Sequence, residues 1–227
     1  MSTDHTPSSN RLKQIISLFI PLLGTDLSAF LGLLGRFGKH LLPARKPEGM
    51  YEVLDYEAEL ELLDTRGKKA ILGKLQQVRF LQDNIIAYQD KAWGDGNIFA
   101  DYKCSPGVAV DRYREGHRYR ILISLRETKK RGEETAFQIE RTITNGFTKD
   151  MEDFQTEIDH QTRSLTMSVI FPKTRPPRQV TLIEQNTTHS VVLDHQHYTT
   201  LPDGREQVTW KTDRPRVFEA YILRWEW

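Results

Sequence analysis

A single cysteine, Cys104, stands in 227 residues. No intramolecular disulfide framework can form, and a cysteine-based zinc site is excluded. A chain without disulfides suits a reducing compartment, so a cytoplasmic location, with room for peripheral membrane contact, is the expectation. An excess of one charge is also missing: 32 Lys+Arg stand against 31 Asp+Glu. A nucleic-acid binder shows a basic excess or stripe, and neither is present, so no nucleic-acid partner is expected. The longest basic cluster, Lys129-Lys130-Arg131 before Gly132, reads as a charged hairpin tip. There is no GxSxG nucleophile elbow. Gly94-Asp95-Gly96 is the tightest glycine pair, but it lacks the Lys-Ser/Thr of a phosphate loop, and Asp95 would repel a phosphate; a hairpin turn after Trp93 is expected instead. No motif calls for a cofactor. Met1 to Asn10 is polar and carries Asp4, unlike the start of a secretory signal, and reads as a disordered lead. The glycosylation sequon Asn186-Thr187-Thr188 has no secretory context to support it. No repeat of fixed period is visible.

What is present is 38% hydrophobic and 28% charged, enough apolar material for a packed core and too balanced for global disorder. Two regions differ in period. Between 11 and 42, Leu12, Ile15, Ile16, Phe19, Leu22 and Leu23 recur at helical spacing. Pro21 and Gly24 interrupt that helix, and Thr25 or Asp26 can cap a second one. The second helix carries Leu27, Phe30, Leu31, Leu34 and Phe37 as an apolar interaction face, with Lys39 and His40 in its last turn and Pro43 at its end. A helical hairpin results. Asp26 and its neighbours Pro21 and Gly24 sit at the centre of the apolar stretch, and basic residues flank both sides, which disfavours a simple membrane span of roughly 20 residues. Packing on the β domain or on a second copy leads, and membrane-surface contact by a basic, Phe/Leu-rich helix follows. Residues 43–49, rich in Pro and Gly, read as a linker.

Residues 50–227 alternate with period two. Leu54, Tyr56, Ala58, Leu60 and Leu62 face one way, and Asp55, Glu57, Glu59 and Glu61 the other. Asp64-Thr65-Arg66-Gly67 reads as a turn. Tyr119, Ile121, Ile123 and Leu125 repeat the pattern, followed by Phe137, Ile139 and Ile143 before the turn signal Asn145-Gly146. A helical turn is expected near 149–154. Leu165, Met167, Val169 and Phe171 form another face, and Pro202-Asp203-Gly204 another turn. Tyr221, Leu223, Trp225 and Trp227 predict an ordered core strand. Half-buried alternation predicts a mostly-β fold, an antiparallel β-sandwich or open barrel of about ten strands, preceded by the helical hairpin.

The candidate metal ligands are Asp194, His195 and His197. In a strand the two imidazoles at i, i+2 would share a face and chelate a divalent ion, with Asp159-His160 contributing from elsewhere. A polar strand end with exposed histidines is the plainer reading. Cys104 reads as a small semi-buried apolar residue. The adjacent acids Glu133-Glu134 and Glu152-Asp153 read as solvated turns. The acidic stripe Glu57, Glu59 and Glu61 and the basic one Arg118, Arg120 and Arg126 would pair if their strands were neighbours.

These observations favour a non-enzymatic recognition or assembly module. Its β domain would bind a protein partner or ligand, and its arm would mediate self-association or membrane-surface contact. The layout, a hydrophobic arm before a β domain, resembles that of some bacterial membrane-acting defence effectors, a likeness of architecture without a shared motif. The alternatives are a metal-dependent hydrolase centred on Asp194, His195 and His197, and a purely structural subunit.

Overall fold

The computed structural model describes residues 49–227. The predicted helical hairpin and its face of Leu27, Phe30, Leu31, Leu34 and Phe37 lie outside the described residues. Within them the chain is mostly β, with fourteen strands in three sheets and no α-helix.

The strands are β1 (Tyr51–Leu62), β2 (Lys69–Phe80), β3 (Ile85–Ala92), β4 (Asn97–Ser105), β5 (Val108–Glu115), β6 (Arg118–Lys129) and β7 (Glu134–Thr144), followed by β8 (Met151–Glu157), β9 (Ser164–Phe171), β10 (Gln179–Glu184), β11 (His189–Val192), β12 (Tyr198–Thr200), β13 (Glu206–Asp213) and β14 (Ala220–Glu226). A seven-stranded sheet runs β12-β13-β9-β1-β2-β7-β4, a four-stranded sheet β11-β10-β14-β8, and a three-stranded sheet β3-β6-β5. Pairing is antiparallel except between β1 and β9, which run parallel with Ala58 opposite Met167. The count exceeds about ten because short, polar or fully exposed strands such as β5 and β11 carry no alternating apolar face to read.

The β1–β2 turn forms as its composition dictates. The Asp64 carboxylate accepts from the amides of Arg66 (2.7 Å), Lys68 (3.2 Å) and Lys69 (2.7 Å). Partial burial pushes the Asp64 carboxyl up, but these donors outweigh it and hold the group below its ordinary value. Gly67 has φ +63°, and a Cβ there would lie 1.5 Å from the Phe147 carbonyl oxygen, so only glycine fits.

Three local expectations are corrected. A bulge between Val53 and Asp55 inserts one residue into β1, so Tyr51 and Val53 are buried with Tyr56, while Leu54 falls off that face. Residues 151–157 form a strand where a helical turn was expected, because Glu152, Phe154 and Thr156 alternate inward. Gly94-Asp95-Gly96 and Lys129-Lys130-Arg131 are not hairpin tips: each joins strands of different sheets, β3 to β4 and β6 to β7.

The core is aromatic where the sheets meet. Phe171 on β9 meets Trp225 on β14 edge-on at 5.6 Å, and Trp225 meets Trp227 at 6.1 Å. Tyr88 on β3 stacks on Phe137 of β7 at 4.0 Å. Trp225 is 0% exposed. Trp225→Ala is therefore expected to cost about 3–5 kcal/mol of stability, read from the midpoint of a urea or guanidinium unfolding curve.

Candidate functional site

The inward faces of β2, β3 and β7 are apolar except at one level. On β2, Ala70, Leu72, Val78 and Phe80 point inward, and Lys74 and Gln76 occupy the same parity between them. On β7 the buried series Phe137, Ile139, Ile143 includes Arg141. On β3 the buried series of Tyr88 and Ala92 includes Asp90. Strand geometry thus brings two cations and one anion together inside the domain.

Asp90 is 3% exposed. Lys74 Nζ donates to Asp90 Oδ1 at 2.8 Å and to the Lys91 carbonyl at 2.8 Å. The Tyr102 hydroxyl of β4 donates to Asp90 Oδ2 at 3.2 Å. Burial pulls the Lys74 ammonium below the ordinary lysine value, and the adjacent carboxylate opposes that pull. Burial also raises the phenols of Tyr51, Tyr56, Tyr88 and Tyr102 well above the ordinary tyrosine value, so they act as neutral hydrogen-bond donors. Tyr88 donates to Gln76 Oε1.

Arg141 is also 3% exposed, and its Nε and Nη1 have no hydrogen-bond partner among the described residues. It lies between Leu72 of β2 and Tyr102 of β4 in the sheet register. It lines a cavity of about 300 Å³ whose walls include Leu72, Ile98, Ile143, Phe147, Phe154 and Trp93. At the rim, Lys149 pairs with Asp95 at 2.5 Å, and Arg224 grips Asp153 at 2.7 and 2.9 Å. Glu152 accepts from the Lys149 amide at 2.6 Å, and burial raises its carboxyl above the ordinary value. A second hollow of about 240 Å³, lined by Tyr51, Tyr88, Asp90, Asp159 and His160, shares Tyr56, Lys74 and Trp93 with the first.

The residues singled out in the sequence lie elsewhere. His195–His197 forms a single 3-10 turn, capped by Asp194, and not a strand; the premise that both imidazoles share a strand face is therefore corrected. Asp194 Oδ1 takes the Gln196 amide (3.1 Å) and meets His197 Nδ1 at 3.0 Å, which holds its carboxyl below the ordinary value, His197 being the larger cause. Asp159 and His160 line the second hollow, with Asp159 paired to Lys91. Among the described residues no group of three or more His, Cys, Asp or Glu side chains is arranged to hold a metal ion. Cys104 is half-buried on β4, and burial raises its thiol, which disfavours the nucleophilic thiolate. Glu152, expected in a solvated turn, is a buried strand residue. The acidic and basic stripes lie on β1 and β6 in different sheets: Glu61 pairs with Arg205 and Arg118 with Glu157.

The site is not legible in the sequence because its charged members interrupt otherwise apolar faces, Asp90 and Arg141 singly and Lys74 together with Gln76. Period two carries the signal nevertheless: Phe137, Ile139 and Ile143 skip one inward position, and that position is Arg141.

Removing one partner of a buried pair strands the other. Asp90→Ala is expected to lose about 3–5 kcal/mol in urea unfolding, whereas Lys74→Met with Asp90→Leu together should lose less than either single change.

No family model matches the sequence, and no curated protein matches it. Among solved structures, the chain is similar to part of an M1 zinc metallopeptidase from Deinococcus radiodurans, with TM-score 0.47 and 10% identity over 78% of this chain and 43% of that one. A two-domain M1 zinc metallopeptidase mutant bound to L-tryptophan gives the same TM-score, identity and coverage. The chain thus spans less than half the length of these peptidases, and neither likeness assigns it an activity.

Proposed function

We propose that this protein is a recognition module whose β domain holds a small organic molecule in the cavity beside Lys74 and Arg141. One observation carries this reading. A cavity of about 300 Å³ combines apolar wall residues such as Leu72, Ile98, Ile143, Phe147 and Phe154 with charged ones, among them the buried Arg141, whose Nε and Nη1 have no partner among the described residues, a combination that marks ligand pockets. A cluster serving stability alone would be better served by apolar side chains of similar volume, since buried ion pairs rarely stabilise more than they cost. A sandwich-like arrangement suits this role, and the contacts Phe171–Trp225 and Tyr88–Phe137 between sheets support it. The hydrolase alternative has no such support, because Asp194 and His197 satisfy each other at an exposed turn.

The test is a screen of small organic fragments by ligand-observed NMR on the purified full chain. Fragments are expected to bind, and to lose binding in Ile143→Trp, which fills the cavity, and in Met151→Trp, which narrows its mouth. Circular dichroism checks that each variant is folded. Binding that persists unchanged in both variants would overturn the reading.

The arm, residues 11–42, is proposed to mediate self-association or membrane-surface contact, on the strength of its wide apolar face alone. Phe30→Glu with Leu34→Glu is expected to shift the elution volume on size exclusion or to abolish flotation with anionic liposomes. No change in either measurement would show that the arm is a surface appendage.

A further inference from the structure

We infer that the molecule held in the cavity is a small organic acid, its carboxylate or phosphate bound by Arg141 and its apolar body lying against Leu72, Ile143, Phe154 and Trp93. The inference rests on the cavity reading above and gives it a chemical class.

The charge inventory leads to it. Asp90 is fully engaged, one oxygen by Lys74 and the other by Tyr102. Lys74 is engaged in turn by Asp90 and the Lys91 carbonyl. At the rim Asp95 pairs with Lys149 and Asp153 with Arg224, whereas Glu152, buried in the wall of the same cavity, takes the neutral Lys149 amide and forms no ion pair among the described residues. Among the buried cations, Arg141 forms no ion pair with any described residue. It is buried and lines the cavity; its Nε and Nη1, closed to solvent, have no hydrogen-bond partner among the described residues, and burial pulls the guanidinium below its ordinary value with the Asp90 carboxylate opposing that pull. A guanidinium stays protonated at any physiological pH, so it cannot escape the cost of burial by losing its proton. An uncompensated buried charge is strongly destabilising, and an anion is the group that relieves it. The guanidinium fork matches carboxylate and phosphate oxygens, to which it gives short charge-assisted bonds. Beside it, the Tyr56 phenol is kept neutral by burial and lines the same cavity as a further donor. The aliphatic and aromatic walls leave the rest of the ligand an apolar environment, so a bare inorganic ion would leave most of the space unused.

The experiment uses the full chain and four probes that share one ring: phenylacetate, phenyl phosphate, phenylacetamide and benzylamine, compared by thermal shift and by calorimetry at constant ionic strength. One of the two acids is expected to bind at least about tenfold more tightly than the amide, because only an acid meets the guanidinium with charge. Whichever acid is preferred separates a carboxylate ligand from a phosphate one. Arg141→Met is expected to remain folded, with a melting temperature no lower than that of the parent chain, and to lose the preference for acid. Equal binding of acid and amide, or an acid preference that survives in Arg141→Met, would overturn the anion assignment and leave the cavity reading standing. Binding of none of the four probes, together with no fragment hits, would overturn both.

Discussion

Lys74 and Asp90 face each other across the seam between the seven-stranded and three-stranded sheets, and the geometry of the interior follows from their contact. Each charge loses several kcal/mol of hydration on burial, and only a close partner and further hydrogen bonds offset that loss. Here the offset comes from named groups. The ammonium also reaches the Lys91 carbonyl, and the carboxylate also takes the Tyr102 hydroxyl. Lys91 pairs onward with Asp159 in the segment between β8 and β9, so successive residues of β3 are tied to two different parts of the chain. A hydrophobic contact can slide, whereas this set of contacts fixes where β3 sits over β2 and β4.

Fixing the seam leaves space beside it. Close-packed apolar side chains would fill such a volume, and a domain selected for stability alone would fill it. Instead the two hollows meet at Tyr56, Lys74 and Trp93, with Arg141 at the floor of the larger one. The phenols around them remain protonated and therefore donate, and at the rim Asp95 and Asp153 are occupied by Lys149 and Arg224. The walls of the two hollows hold one buried ion pair, Lys74 with Asp90, and two buried charges outside any ion pair among the described residues, Arg141 and Glu152.

The architecture was legible where a strand buries one face and shows the other. Ile121, Ile123 and Leu125 of β6, Leu165, Met167, Val169 and Phe171 of β9, and Leu223, Trp225 and Trp227 at the end of the chain all lie buried as their alternation requires. It was illegible where that rule has no purchase. β5 is exposed along its whole length and has no apolar parity. The β1 bulge shifts the parity by one residue, which no composition reveals, and so moved Leu54 to the wrong face. The candidate site fell in the same gap. Lys74, Asp90 and Arg141 come from three strands of two sheets, and their meeting depends on strand order, which a single sequence does not encode locally. What each strand did record was an interruption of its own apolar face. Asp194, His195 and His197 are close in the chain, yet the capped turn sets Asp194 against His197 and leaves His195 exposed.

The parallel pairing of β1 with β9 sets an order of events for the chain. β1 finds β2 at once, across a short turn, but its other edge is completed only by residues far downstream; Ser164 contacts Leu54 across 110 positions. Closing so long a loop carries an entropic cost before any contact rewards it, and such non-local pairing slows folding. A nascent chain therefore carries an open β1 edge through the synthesis of β2 to β8, an edge able to pair with any other extended strand. Glu57 and Glu59, exposed along that strand, place like charges where two such edges would meet, and so act as a guard against self-pairing until β9 arrives.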